Sequence, residues 1–153
     1  MNLTSVSRED IYRSNVITDY WINDGQLLLT RYTEFVTGEE LIQSALRKSG
    51  DMRFDNVRYI LSDWSEVGRV QASTEDIKAL VACLRPISQI CPDAKSASIV
   101  KPDPQGNALV AWYKYLADDL SWQVEIFASI EDATVWCDLY RDFLRSGGGK
   151  CLA

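Results

Sequence analysis

Apolar and polar positions alternate along this chain with two different periods, and the switches between them mark out the elements. Val16-Ile17-Thr18-Asp19-Tyr20-Trp21-Ile22 is rich in β-branched and aromatic residues, and Asn23-Asp24-Gly25 follows as a turn signal. Residues from Gln26 to Tyr32 form the next apolar run, so the pattern predicts a hairpin of strands at 16–22 and 26–33. Thr37 ahead of Glu39 and Glu40 opens a helix over 38–48, with Leu41, Ile42, Ala45 and Leu46 as its stripe and Gly50 as its stop. Val57 to Asp63 is the third strand. Ser73-Thr74-Glu75-Asp76 resembles a capping box, and the helix behind it carries Ile77, Leu80, Val81, Leu84 and Ile87. Pro86 should kink or end that helix, since proline removes a backbone donor.

Beyond Pro92 the alternation continues. Residues 96–100 are a short strand, 102–106 a loop, and 107–119 a helix with Leu109, Trp112, Tyr113 and Leu116 on one face. Residues 122–127 are the fifth strand. Ser129 caps a last helix with Ala133, Trp136, Cys137, Tyr140 and Leu144 as its stripe, ended by Gly147-Gly148-Gly149. Strands that alternate with helices imply parallel pairing through crossovers. The expected fold class is therefore α/β: a five-stranded mixed sheet whose first strand is antiparallel and whose other four are parallel. Leu27, Leu28 and Leu29 in a row predict a strand buried on both faces. Trp122, Val124 and Ile126 alternate with Gln123 and Glu125, which predicts an edge strand or one half in water. The expected organisation is a polar lead-in at 1–14, one domain at 15–146 and a flexible tail at 147–153.

Composition narrows the chemistry. A chain of 153 residues buries roughly 70% of its unfolded surface and needs no disulfide or metal to hold a core. It contains no histidine, which removes Ser-His-Asp and Cys-His catalysis and His-ligated zinc or iron. The net charge is -6 with no basic run, so neither nucleic acid nor an anionic membrane surface is an expected partner. No stretch approaches the length of a membrane-spanning helix, and the first ten residues lack the apolar core of a secretory signal. A cytoplasmic location is expected, with Cys83, Cys91, Cys137 and Cys151 as reduced thiols; Cys83 and Cys137 are read as core and Cys151 as exposed.

Several of these motifs together resemble the SpoIIAA-like superfamily, which includes the STAS domains of anti-sigma-factor antagonists, uncharacterised bacterial relatives and, more distantly, CRAL-TRIO lipid-transfer domains. The resemblance covers roughly 15–145. It is carried by the hairpin at Asp24-Gly25, by Tyr59-Ile60-Leu61-Ser62-Asp63-Trp64-Ser65-Glu66-Val67, similar to a strand-ending D-x-S-x-V stretch, by Ser73 to Ile77, and by Glu131-Asp132-Ala133 with Trp136. It implies a SpoIIAA-like sheet with helices mainly on one face. In the antagonists a regulatory serine within D-S-S-G is phosphorylated. The matching stretch here reads Gln71-Ala72-Ser73-Thr74: the Asp is Gln71, the usual serine falls on Ala72 and the Gly is lost, so the resemblance offers Ser73 only as a displaced candidate.

The candidate binding residues are Asp63, Trp64 and Ser65, where the third strand is expected to end, because strand C-termini of open α/β sheets line ligand crevices. The local alternative is that Asp63 and Ser65 bond backbone in the turn. Trp64, beside polar neighbours, is the tryptophan expected to be exposed, whereas Trp112 and Trp136 lie on core stripes. Ser73 is the candidate phosphorylation site, or simply an N-cap. No catalytic residue, metal ligand or cofactor is assigned. The chain is read as a non-enzymatic regulatory or protein-interaction module, with a homodimer or another protein as partner. The alternative is a carrier of a small apolar or lipid-like ligand.

Overall fold

The computed structural model describes residues 7–101 and 104–138, with the side chains of 104–107 left out. Among these residues six strands form one sheet in sequence order: β1 (Ile11–Arg13), β2 (Ile17–Ile22), β3 (Leu27–Thr37), β4 (Tyr59–Gln71), β5 (Lys95–Ile99) and β6 (Gln123–Phe127). β1 and β2 pair antiparallel, as do β2 and β3, and the pairs from β3 to β6 are all parallel. The sheet thus has one strand more than the five expected. The addition, Ile11–Arg13, lies in the segment that reads as a lead-in; three residues with a burial pattern open to water carry too little periodicity to mark a strand.

Among the described residues four helices pack on the sheet: α1 (Gly38–Ser49), α2 (Thr74–Ser88), α3 (Pro104–Leu116) and α4 (Ile130–Cys137). Strand alternation sorts the core into two halves. Leu28, Ile60, Trp21 and Val36 face a layer built with Leu41 of α1, Ile77, Val81 and Leu84 of α2 and Leu109 and Trp112 of α3. Leu27, Leu29, Leu61 and Ala97 face the other way, against Ala133 and Cys137 of α4. Helices therefore lie mainly on one face, three against one. Leu27, Leu28 and Leu29 are all 0% exposed, as their run implies for a strand covered on both sides. β6 is an edge strand, half-buried beyond exposed Gln123.

Local chemistry sets the joints. The hairpin turn holds Asn23, Asp24 and Gly25 at φ 55, 57 and 87, the left-handed region. A Cβ on Gly25 would stand 2.9 Å from the Arg53 carbonyl oxygen, so glycine serves both backbone and space here. Thr37 and Glu40 close a reciprocal capping box on α1. Gly50 does stand at the C-cap of α1, but at φ -80, so it stops the helix without using left-handed freedom. Pro86 lies inside α2, which runs two residues further to Ser88.

Several boundaries differ from the sequence reading, and β3 runs to Thr37 rather than 33. β4 runs on to Gln71, eight residues past Asp63, because β3 is also long and keeps pairing it across two register shifts. α3 begins at Pro104 rather than 107, inside the expected loop; proline fits the first helical turn, where its missing N–H has no intrahelical acceptor to lose. α4 ends at Cys137, with Asp138 left-handed at its C-cap. Tyr140, Leu144, the triple glycine, the expected tail and Cys151 lie outside the described residues, as does part of the Pro102–Gly106 stretch.

Candidate functional site

Three serines explain why the three-helix face of the sheet does not fill. Ser62 on β4 and Ser96 and Ser98 on β5 occupy positions where the strand period turns the side chain toward α1, α2 and α3, and Ser62 pairs with Ser98 across the two strands. Leucine or isoleucine at such positions would reach the helices; a hydroxymethyl group does not. The result is a cavity of ≈ 210 Å³ between sheet and helices. A 150 Å³ apolar cavity suffices to hold benzene.

Its walls are mainly aliphatic and aromatic, with Leu28, Leu41, Phe54, Ile60, Ile77 and Leu84 among them. Tyr32 and Trp64 add a stacked pair, ring centroids 3.7 Å apart. Tyr113 reaches in from α3; burial pushes its phenol well above the ordinary range, with a smaller push from Tyr32, while a hydrogen bond with Ser96 works the other way. It is a neutral hydroxyl throughout the physiological range. Trp122, 6% exposed, lines the cavity, and its Nε1–H is the one buried side-chain polar atom without a hydrogen-bond partner among the described residues. Toward the C-terminal ends of the parallel strands, Val67 to Val70 on the extension of β4, together with Lys101 just past β5, complete the lining.

The residues singled out from sequence do not form one site. Trp64 faces the cavity. It is half-buried and flat against Tyr32 rather than exposed in a turn, because β4 does not end at Asp63. Asp63 is 9% exposed. It lies 3.5 Å from Arg31 Nε and accepts hydrogen bonds from the Ser65 backbone N–H at 3.0 Å and the Ser65 hydroxyl at 2.6 Å. Residues i and i+2 share a face of a strand, so Asp63 and Ser65 meet each other on the side away from Trp64. Ser73 caps α2: its hydroxyl accepts from Asp76 N–H at 3.1 Å, and Asp76 Oδ2 accepts from Ser73 N–H at 2.9 Å. Trp112 and Trp136 are half-buried, and the buried tryptophans are Trp21 and Trp122.

Sequence reasoning missed Tyr32, the three serines, Tyr113 and Trp122 as members of one site. One signal was present: Ser96-Ala97-Ser98 puts three small side chains in a central strand whose neighbours carry leucine and isoleucine. Among the described residues, no group of three or more Cys, Asp or Glu could hold a metal ion, and no helix is long and apolar enough to cross a membrane. Cys91 and Cys137 are buried and Cys83 is half-buried.

These features define a mixed α/β fold with a half-open cavity beneath three helices. The structure is similar to that of the anti-sigma factor antagonist SpoIIAA in its unphosphorylated form, with a TM-score of 0.49 and 9% identity over 76% of this chain and 93% of that one. It is also similar to an uncharacterised protein of the DUF3478 family with a SpoIIAA-like fold from Shewanella loihica PV-4, with a TM-score of 0.45 and 17% identity over 83% of this chain and 90% of that one. No family model matches the chain, and no curated protein does.

Proposed function

We propose that this protein is a non-enzymatic binding domain that carries or senses a small apolar molecule in the cavity beneath α1, α2 and α3. One observation carries the reading: a ≈ 210 Å³ space with largely apolar walls inside a domain of ordinary size. Protein interiors close-pack, and a half-open pocket of this size leaves apolar wall without protein contacts. A ligand that restores those contacts binds with that energy and needs no reactive group from the protein. The polar groups around the cavity are hydroxyls and the side chains of Lys48, Arg69 and Lys101, which can orient a ligand.

Thermal-shift and tryptophan-fluorescence titrations of the full chain with 1-octanol test this. Octanol should raise the melting temperature and perturb the emission of Trp64 and Trp122. Ser98→Leu, which fills the cavity from the sheet side, should abolish both effects. A melting temperature and spectrum unmoved by octanol and by octanoate alike would remove the proposal.

A second reading, a protein-interaction module that includes self-association, is favoured by β6. Among the described residues this strand pairs only with β5 and is half-buried along most of its length. An unpaired strand edge is a template for another chain. Light scattering at high protein concentration tests it, and a strictly monomeric mass argues against self-pairing through that edge.

A further inference from the structure

The chain carries a net charge of -6, yet the charged side chains around its cavity have the opposite sign. Lys48, Arg69 and Lys101 line the cavity, and among the described residues no Asp or Glu does. Several cations elsewhere are paired: Arg31 with Asp63, Arg47 with Asp19, Arg85 with Asp119 and Lys114 with Glu125. The three at the cavity have no carboxylate partner among the described residues. Lys48 Nζ donates to the Thr30 hydroxyl at 3.2 Å, and Arg69 lies 5.8 Å from the centre of the Phe35 ring. Arg69 and Lys101 both lie past Ile99, the last residue of β5, on the side where the parallel strands end. Ser62, Ser96 and Ser98 supply hydroxyls to the same lining. Among the described residues, the site is apolar in its walls, carries hydroxyl and cationic donors and has no carboxylate in its lining.

Resting on the reading of the cavity as a binding site, we infer that its ligand is an amphipathic anion: a short hydrophobe with one carboxylate or phosphate head. The tail occupies the space under the helices, and the head lies at the strand ends, where Arg69 and Lys101 supply charge-assisted hydrogen bonds. If 150 Å³ holds the six carbons of benzene, this cavity takes roughly eight non-hydrogen atoms, the tail of an eight-carbon chain. A cationic amphiphile of the same length meets three like charges, and a neutral one leaves the cations unanswered.

Isothermal titration of the full chain with octanoate, octyl phosphate, 1-octanol and octylammonium separates the contributions of tail and head. Octanoate or octyl phosphate should bind about tenfold tighter than octanol, with octylammonium the weakest. Which of the two anions leads assigns the head as carboxylate or phosphate. Raising the salt concentration should narrow the gap between anion and alcohol. Lys101→Glu should cut octanoate affinity about tenfold and bring the octanoate-to-octanol ratio close to one. Arg69→Gln, a milder change, should lower that ratio too. Octanol binding as tightly as both anions, or a ratio unmoved by both substitutions, overturns this inference and leaves the apolar cavity site standing. Failure of all four compounds to bind overturns the cavity reading as well.

Discussion

Trp64 lies flat on Tyr32, with ring centroids 3.7 Å apart and planes 3° apart. The two residues come from neighbouring strands, β4 and β3, at the register shift between Arg31 and Thr33. The shift sets an indole and a phenol face to face at the wall of the cavity. Aromatic pairs gain most from offset or edge-to-face geometry. A nearly eclipsed stack therefore holds chiefly by the area it covers. Trp64→Phe should retain most of the stability, and Trp64→Ala should cost about 2 kcal/mol, below the range for a fully buried tryptophan because Trp64 is half-buried. Urea unfolding of the three proteins checks the order. Equal midpoints for the phenylalanine and alanine variants would mean that the ring contributes nothing.

Beneath α1, Asp19 is 1% exposed and takes Arg47 at 2.6 Å and the Thr30 hydroxyl at 2.8 Å. The Arg47 side chain is 31% exposed. That asymmetry decides which substitution hurts more. Arg47→Ala leaves a buried carboxylate with Thr30 as its remaining close partner, and should cost about 3 kcal/mol. Asp19→Ala frees an arginine that can turn toward water, and should cost about half as much. Chemical denaturation of the two single variants checks the ranking, and the reverse order would mean that Asp19 reaches water some other way.

Much of the framework is legible in the sequence because it rests on local chemistry. Thr37 with Glu40 and Ser73 with Asp76 announce their helices through capping, and Asn23-Asp24-Gly25 announces its hairpin. Three consecutive leucines identify a strand covered on both sides. The end of β4 is not legible, because nothing in Trp64 to Gln71 says that β3 is long enough to keep pairing it. The cavity is not legible for the same reason. Ser62, Ser96 and Ser98 look like ordinary strand polar positions until their shared face is known. The cations that meet the cavity, Lys48, Arg69 and Lys101, come from three separate stretches of chain. Asp63-Trp64-Ser65 shows the converse: adjacency in sequence places neighbours on opposite faces of a strand.

Ser73 offers a test that separates capping from modification. Its hydroxyl accepts from Asp76 N–H while Asp76 accepts from Ser73 N–H. Ser73→Ala should cost about 1 kcal/mol, and Ser73→Asp, itself a good cap, should cost little. A phosphate on this hydroxyl would gain from the helix N-terminus but would face Asp76 and Glu75. Intact-mass measurement on protein from its native cell addresses modification directly: an unshifted mass leaves Ser73 as a cap.

Two buried thiols give the protein a pH dependence on the alkaline side. Burial pushes Cys91 up to about 11, and the Asp55 carboxylate adds to the push. Burial also pushes Cys137 up to about 11, partly countered by Lys95. An unfolded thiol ionises near 9, so between the two values the unfolded chain has lost a proton that the native state keeps. The stabilisation from each protonated thiol is therefore complete below about 9 and fades as pH rises through about 11. Lysines and tyrosines titrate over the same window, so the comparison must be with a variant that lacks one thiol. Cys137→Ala should lower the urea midpoint at neutral pH, where the thiol packs as a neutral group against Ala133 and Leu61. The gap to the unsubstituted protein should shrink steadily as the pH approaches the folded thiol's own value. A gap that stays constant across the window would mean that Cys137 ionises alike in the folded and unfolded chain, and that its burial carries no cost to charge.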